Sequence, residues 1–357
     1  MRVGCQTVGV QTTEPAVISM LDLAIIGRDE TASDAFAGSV ALAQRAESAG
    51  YKRVWYAEHH NMSSVGSSAP AVLIAHVAAH TSTIRLGAGG VMLPNHSPLA
   101  IAEQFGTLAS LYPGRIDLGL GRAPGSDQAA ARALRTDARS SDRFPQDVLE
   151  LQAYLSNRSI VPGVTATPGS NTNLPLYILG SSLFGAHLAA AMGLPFAFAS
   201  HFAPSALTQA VAVYRSEFTP SAQLAEPYVM AAVNVIAADT TEQAEVQLLR
   251  TTRARVGRFL APDRDLSEAE ADAVIASPQG QQILGMMRYT ATGAPDEVAE
   301  YLAAFTAHAQ ADELIVAQGG PTLADRLHSV DLLAEVLGLH QRFAAQNEVD
   351  SHLLHNA

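Results

Sequence analysis

The chain has 357 residues, of which 48% are hydrophobic and 16% charged, ample material for a large buried core. A formal net charge of −12 speaks against a nucleic-acid backbone or an anionic membrane surface as partner. Cys5 is the one cysteine, so no internal disulfide is expected, and a cytoplasmic location fits the single free thiol.

In chain order, short apolar runs alternate with longer amphipathic stretches. The strands are expected near Arg2–Val8, Arg53–Ala57, Ile84–Val91, Ile116–Leu120, Leu176–Gly180, Phe196–Ala199, Tyr228–Ile236 and Glu313–Val316. Most are nearly continuous apolar runs, as in strands covered on both faces. Helices are expected over Ala35–Ala49, Ala69–Ser82, Pro98–Leu111, Asp142–Leu155, Gly185–Met192, Pro204–Phe218, Thr241–Phe259 and Leu323–Leu339. Each carries apolar residues at a spacing of three to four. Eight strand–helix pairs predict a closed (β/α)8 barrel of the TIM type, one domain over 1–340 with a polar tail over 341–357.

No basic leader followed by an apolar stretch opens the chain, and prolines break the longest uncharged run, so neither a signal peptide nor a membrane span is expected. Two stretches interrupt the alternation, 157–173 and 257–292, and such insertions are either lids over a site or plain surface excursions.

In a parallel barrel the chemistry sits where strands end. After the second strand comes Glu58-His59-His60, two adjacent imidazoles and a carboxylate, which makes His59 and His60 candidate catalytic residues. The spacing is wrong for zinc, because adjacent His residues diverge on a strand, and no metal site is expected. After the third strand, Gly87, Gly89 and Gly90 let backbone approach a planar ligand, or serve close packing in a tapering barrel. After the fourth, Gly119-Leu120-Gly121-Arg122 departs from a dinucleotide fingerprint, and Arg122 with Arg143 offers charge for a phosphate or for surface ion pairs. After the fifth, Gly180-Ser181-Ser182 opens a helix, where free N–H groups and hydroxyls suit an anion. The chain's 21 arginines beside the single Lys52 read as compositional bias. On these features alone the protein is a barrel enzyme for an anionic ligand.

Several segments resemble the bacterial luciferase-like family of flavin-dependent monooxygenases. They are AEHHN (57–61), RLGAGGVMLPNHSPLAIAEQFGTL (85–108), YPGRIDLGLGRAPGSD (112–127), LPLYILGSS (174–182), AAAMGLPFAFASHF (189–202) and TGAPDEVAEYL (292–302). The resemblance is nearest to a short single-chain subgroup that includes an oxygenase tailoring mensacarcin-type aromatic polyketides, as in antibiotic biosynthesis. It implies a homodimeric barrel that takes FMN, reduced by a separate reductase, together with O2 and a small organic substrate to be hydroxylated or epoxidised. It further implies His59 beside the flavin and Gly89–Gly90 beneath the ring, often through a non-prolyl cis peptide. Arg122, Arg143, Gly180, Ser181 and Ser182 would hold the cofactor. Two positions depart from luciferase: Gly121 replaces a reactive cysteine and Ser181 replaces a glutamate. Other readings of the same residues are a deazaflavin-dependent hydride-transfer enzyme, a non-catalytic flavin-binding protein, and a metal-dependent hydrolase using His59 and His60. The apolar helices over Ala69–Ser82 and Pro98–Leu111 are the expected dimer face.

Overall fold

The computed structural model describes residues 16–123, 127–137, 139–262 and 264–340. Its strands are β1 (Val17–Asp22), β2 (Arg53–Tyr56), β3 (Arg85–Met92), β4 (Ile116–Gly121), β5 (Leu176–Gly180), β6 (Phe196–Phe198), β7 (Val229–Ala237), β8 (Thr290–Gly293) and β9 (Glu313–Gln318). All pair in parallel, and contacts between β6 and β7, β7 and β9, and β9 and β1 close the ring. Eight strands therefore form the barrel, in the order β1-β2-β3-β4-β5-β6-β7-β9, and β8 adds to the far half of β7 only, over Asn234–Ala237.

The helices are α1 (Ala32–Ala49), α2 (Pro70–Ala78), α3 (Pro98–Leu111), α4 (Gln128–Ala133), α5 (Phe144–Leu155), α6 (Leu183–Met192), α7 (Leu207–Glu217), α8 (Thr241–Leu260), α9 (Glu268–Ala276), α10 (Pro278–Met286), α11 (Pro295–Ala309) and α12 (Leu323–Val336). Local sequence fixes their ends. Thr31 and Asp34 form a reciprocal cap on α1, and Thr322 and Asp325 do the same for α12. Gly50 ends α1 at φ 85°, where a Cβ would also lie 2.8 Å from the Leu339 carbonyl oxygen, so only glycine fits.

Strand alternation divides the apolar residues between two cores. Along β2, Val54 and Tyr56 face the helix layer, while Trp55 and then Ala57 join Leu21, Tyr177, Met230 and Ile315 in a cluster filling the barrel. The floor of the barrel is ionic. Arg53 donates to Asp117 and to the Tyr177 hydroxyl, each at 2.7 Å, and its Nε lies 2.9 Å from Glu313. Ser19 (2.5 Å) and Tyr228 (2.7 Å) donate to Glu313, and Arg85 also pairs with Asp117. Burial would raise the Asp117 carboxyl, but the Arg53 and Arg85 guanidiniums hold it below the usual carboxylate range. This plug closes the N-terminal end, so a ligand has only the opposite mouth to enter.

Three expectations need correction. The first barrel strand is Val17–Asp22, and the segment Arg2–Val8 lies outside the described residues, as does the tail 341–357. Sequence patterning misses Val17–Asp22 because Ser19 and Asp22 make it look polar. Both are buried, Ser19 on Glu313 and Asp22 accepting from the Ser39 hydroxyl at 2.5 Å. The strand Thr290–Gly293 and the helix Pro295–Ala309 were likewise not expected. Finally, 157–173 leads from α5 into β5, so it runs at the closed end and cannot be a lid. Gly169 in it packs backbone to backbone on Gly106 of α3. The other insertion follows β7 and its helix α8 and is largely helical, with Ala271 and Ile283 packing on Val256 of α8.

Candidate active site

The two adjacent histidines after β2 part company. Glu58 is fully buried; one carboxylate oxygen accepts from His60 Nε2 (2.9 Å) and His96 Nε2 (2.8 Å), and the other from the Met92 amide (3.0 Å). Burial would raise the Glu58 carboxyl, yet hydrogen bonds and charge from His96, then His60 and Met92, hold it below its ordinary value. His60 therefore sits in a buried latch that ties the end of β2 to the segment after β3. Among the described residues His59 is anchored only through its amide, which donates to the Ser67 carbonyl at 3.1 Å, and its buried Nδ1 has no partner. Burial lowers the His59 pKa, Glu58 opposes that, and His60 and Arg258 add to it. The ring is consequently neutral at neutral pH.

Along β3 the Gly89–Gly90 peptide is cis, and the pairing with β4 shifts register between Ala88 and Val91. A Cβ on Gly89 would lie 2.9 Å from Trp55 Cβ, and one on Gly90 would lie 2.8 Å from the Gly119 carbonyl oxygen. Close packing thus demands glycine at both. Gly89 nonetheless keeps part of its surface exposed above the buried Trp55, so bare backbone forms part of the mouth's floor.

The loops after β4 and β5 meet. The Arg122 guanidinium lies 4.0 Å from the centre of the Phe184 ring in the first turn of α6, a cation–π contact. Its carbonyl accepts from the Ser141 hydroxyl at 3.2 Å, which draws in the short 3-10 turn Ser140–Arg143 and with it the exposed Arg143. Ser182 is the N-cap of α6 but makes no side-chain cap bond, and Ser181 beside it is exposed. Among the described residues neither Arg122 nor Arg143 has a carboxylate partner within ion-pair distance. Two guanidiniums and an uncapped helix start therefore share one sector.

All the expected site residues thus lie on or after four neighbouring strands, β2 to β5. The other half of the mouth holds groups that sequence reading passed over. His201, two residues beyond the expected strand Phe196–Ala199, is 9% exposed, and its Nδ1 has no partner. Burial, then Arg255 and His59, push its pKa down to about 3. Asn234 in β7 donates to the His201 carbonyl at 2.7 Å. β2 and β6 stand opposite in the ring, and His59 and His201 each lie a few residues past the end of their parallel strands, so both face the same mouth. Arg255 and Arg258 of α8 complete this half. The strand-end rule, extended two residues, would have found His201; the arginines carry no signal that separates them from the chain's other arginines. No group of three or more His, Cys, Asp or Glu among the described residues is arranged to hold a metal ion.

Fold and site together define a (β/α)8-barrel protein whose open mouth carries Arg122, Arg143, an uncapped helix start and part-exposed glycine backbone. Residues 18–317 match the model of the family described as luciferase-like monooxygenase, and the chain belongs to that family of oxidoreductases. A luciferase-like monooxygenase of Escherichia coli (strain K12) is 46% identical over 337 residues, 91% of this chain and 98% of that one. The N-acetyl-S-alkylcysteine monooxygenase of Bacillus subtilis (strain 168) is 32% identical over 337 residues, covering 90% and 98%. The crystal structure of apo-MsnO8 superposes with a TM-score of 0.82 at 35% identity, covering 91% of this chain and 98% of that one.

Proposed function

We propose that the protein takes FMN, reduced by a separate reductase, and O2, and places one oxygen atom in a small organic substrate by hydroxylation or epoxidation. The observation that carries this reading is His59, its Nδ1 buried and unpartnered just past β2, the strand that pairs with the glycine-bearing β3. The residues present fit the cofactor. Gly89 would offer side-chain-free backbone to a planar ring, with the buried Gly90 packed beneath it on Gly119, and Arg122, Arg143, Ser181 and the unused Ser182 hydroxyl would hold its phosphate with the first turn of α6. Reduced flavin, when bound, supplies the electron pair that activates oxygen.

The protein's own contribution is to place and exclude. His59, kept neutral by burial, holds or passes a proton at Nδ1. Trp55, Leu21, Met230 and Ile315 make the barrel below the mouth apolar and keep water out. His60 holds Glu58, and through it the His59 loop, in place. Among the described residues no helix is long and apolar enough to cross a membrane, and the net charge of −12 leaves nucleic acid an unsuitable partner. Candidate substrates are an aromatic polyketide intermediate and an N-acetyl-S-alkylcysteine. We take the working form to be a homodimer joined through α2 and α3.

The test is to titrate the protein with reduced FMN and with reduced deazaflavin under anaerobic conditions, then admit O2 with candidate substrates. Tight binding of FMN and product formed per O2 consumed are expected. His59→Ala should lower that product ratio about 100-fold, releasing peroxide instead, in the range typical for a lost acid–base group. Preference for the deazaflavin, or an unchanged ratio in the variant, would overturn the reading.

A further inference from the structure

The fully buried Arg53 and the partly buried Arg115 and Arg253 are answered by acids or carbonyls. Arg53 meets Asp117 and Glu313, and Arg115 donates to the carbonyls of Ile84 and Thr81. On α8 itself, Arg253 is turned to Glu268 and Asp272 of α9. Arg255 and Arg258, both half-buried, are not. Three apart on one helix, they lie on the same face, and among the described residues neither has a hydrogen-bonded or ionic partner. Arg258 Nε is buried and unsatisfied. Burial and the neighbouring Arg258 push Arg255 down to about 10, and burial lowers Arg258 as well. Arg255 acts on His201 and Arg258 on His59, whose Nδ1 atoms are themselves without partners. Thr251, one turn before Arg255 on the same face of α8, donates to the carbonyl of Gly319 just past β9, which sets this face at the open mouth where His201 and His59 follow β6 and β2. Glu58, the acid nearest His59, is already bound to His60, His96 and Met92.

Unpaired cations drawn partly out of water cost folding free energy, and an anion that completes them recovers it. From this cluster we propose that Arg255 and Arg258, with His201 beside them, bind the carboxylate of an acidic organic substrate. Two guanidinium forks match the planar geometry of a carboxylate. The proposal rests on the flavin reading above for what else occupies the mouth. The cofactor's phosphate has its own cradle after β4 and β5, whereas α8 leaves from β7, two strands further round the ring. The cations acting on His59 and His201 are Arg258 and Arg255, not Arg122 or Arg143. The acidic group would thus anchor the substrate on the His201 side of the mouth, across the ring from the strand that carries His59. An oxyanion at this place has two sources, a substrate carboxylate or the flavin phosphate, and binding separates them.

The experiment titrates wild type and the Arg255→Met/Arg258→Met double variant with benzoate and with its neutral counterpart benzamide, each with and without FMN. It also measures FMN and riboflavin affinity. Wild type should bind benzoate saturably and about tenfold tighter than benzamide, and the double variant should lose that preference while its FMN affinity is unchanged. Because no acid is stripped of its partner, the double variant should melt no lower than wild type in anion-free buffer. Equal binding of benzoate and benzamide by wild type would overturn the proposal. So would an FMN affinity that falls about tenfold in the variant while riboflavin's stays, which assigns the pair to the cofactor phosphate. A variant less stable than wild type would reveal an internal partner and have the same consequence. Failure of wild type to bind FMN would instead sink the flavin reading, and the benzoate titration without FMN still decides the arginine site.

Discussion

A carboxylate taken fully out of water has to be answered by donors, and Glu58 has His60, His96 and the Met92 amide. Removing its charge while keeping its shape tests that latch. Glu58→Gln keeps one acceptor but leaves an imidazole donor poorly paired, at a cost of about 1–3 kcal/mol in urea unfolding; no loss would mean that the latch is not structural. The histidines at the mouth make the opposite case, groups kept uncharged by burial. In the unfolded chain each has a pKa near 6.5. In the folded protein His59 is lowered and His201 lies at about 3. As pH falls below about 6.5 the unfolded chain takes up protons that the folded chain refuses, so stability present above that pH is lost on acidification. The slope approaches about 1.4 kcal/mol per pH unit for each such histidine, and for His201 it persists to its folded pKa. His201→Gln should therefore flatten the fall in unfolding free energy between about pH 6 and 4; a slope identical to wild type would show that His201 protonates freely.

Helices and loops obey the same accounting at larger scale, and two glycines separate packing from propensity. A Cβ at Gly106 in α3 would lie 2.2 Å from Gly169 Cα and 2.4 Å from its nitrogen, backbone that cannot swing aside. Gly106→Ala should cost about 1–3 kcal/mol. Gly257 in α8 has nothing within 4 Å of the same position, so Gly257→Ala should add about 0.5–1 kcal/mol through helix propensity alone. Thermal melts of both variants read the two signs, and like signs would refute the argument. The sequence made α3 and α8 legible because apolar residues recur at helical spacing, and seven of the barrel's eight strands because most are apolar throughout. Val17–Asp22 stayed hidden since its polar residues are satisfied by Glu313 and Ser39, contacts 294 and 17 residues away in the chain. His59 was legible from its place after β2. Arg255 and Arg258 were not: Arg253, two residues before Arg255, takes the nearby acids, and only the helical phase separates a paired arginine from an orphaned one.

Across the whole molecule, one face of the barrel's outer layer is left apolar. Between α2 and α3 lies a groove of about 490 Å³ lined by residues such as Ala69, Ala75, Phe105 and Leu108, with Glu58 and His96 at one end. Val72 on α2 is 71% exposed and Leu111 on α3 is 61% exposed. Apolar side chains set this far into water on adjacent helices suit a second copy of the chain, since homodimer interfaces are richer in apolar area than other surfaces. In a two-fold interface each residue occurs twice, so one charge per chain puts two into the contact. Val72→Glu/Leu111→Glu should then convert dimers to monomers in sedimentation equilibrium. Both positions are solvent-facing in one protomer, so each monomer should retain its fold and its far-ultraviolet spectrum. The Glu58 latch borders the same groove, and the monomeric variant should also bind FMN more weakly than wild type, because loss of the partner exposes the wall on which the His59 loop is fixed. A wild-type chain that sediments as a monomer, or a doubly charged variant that remains dimeric, would place the contact elsewhere.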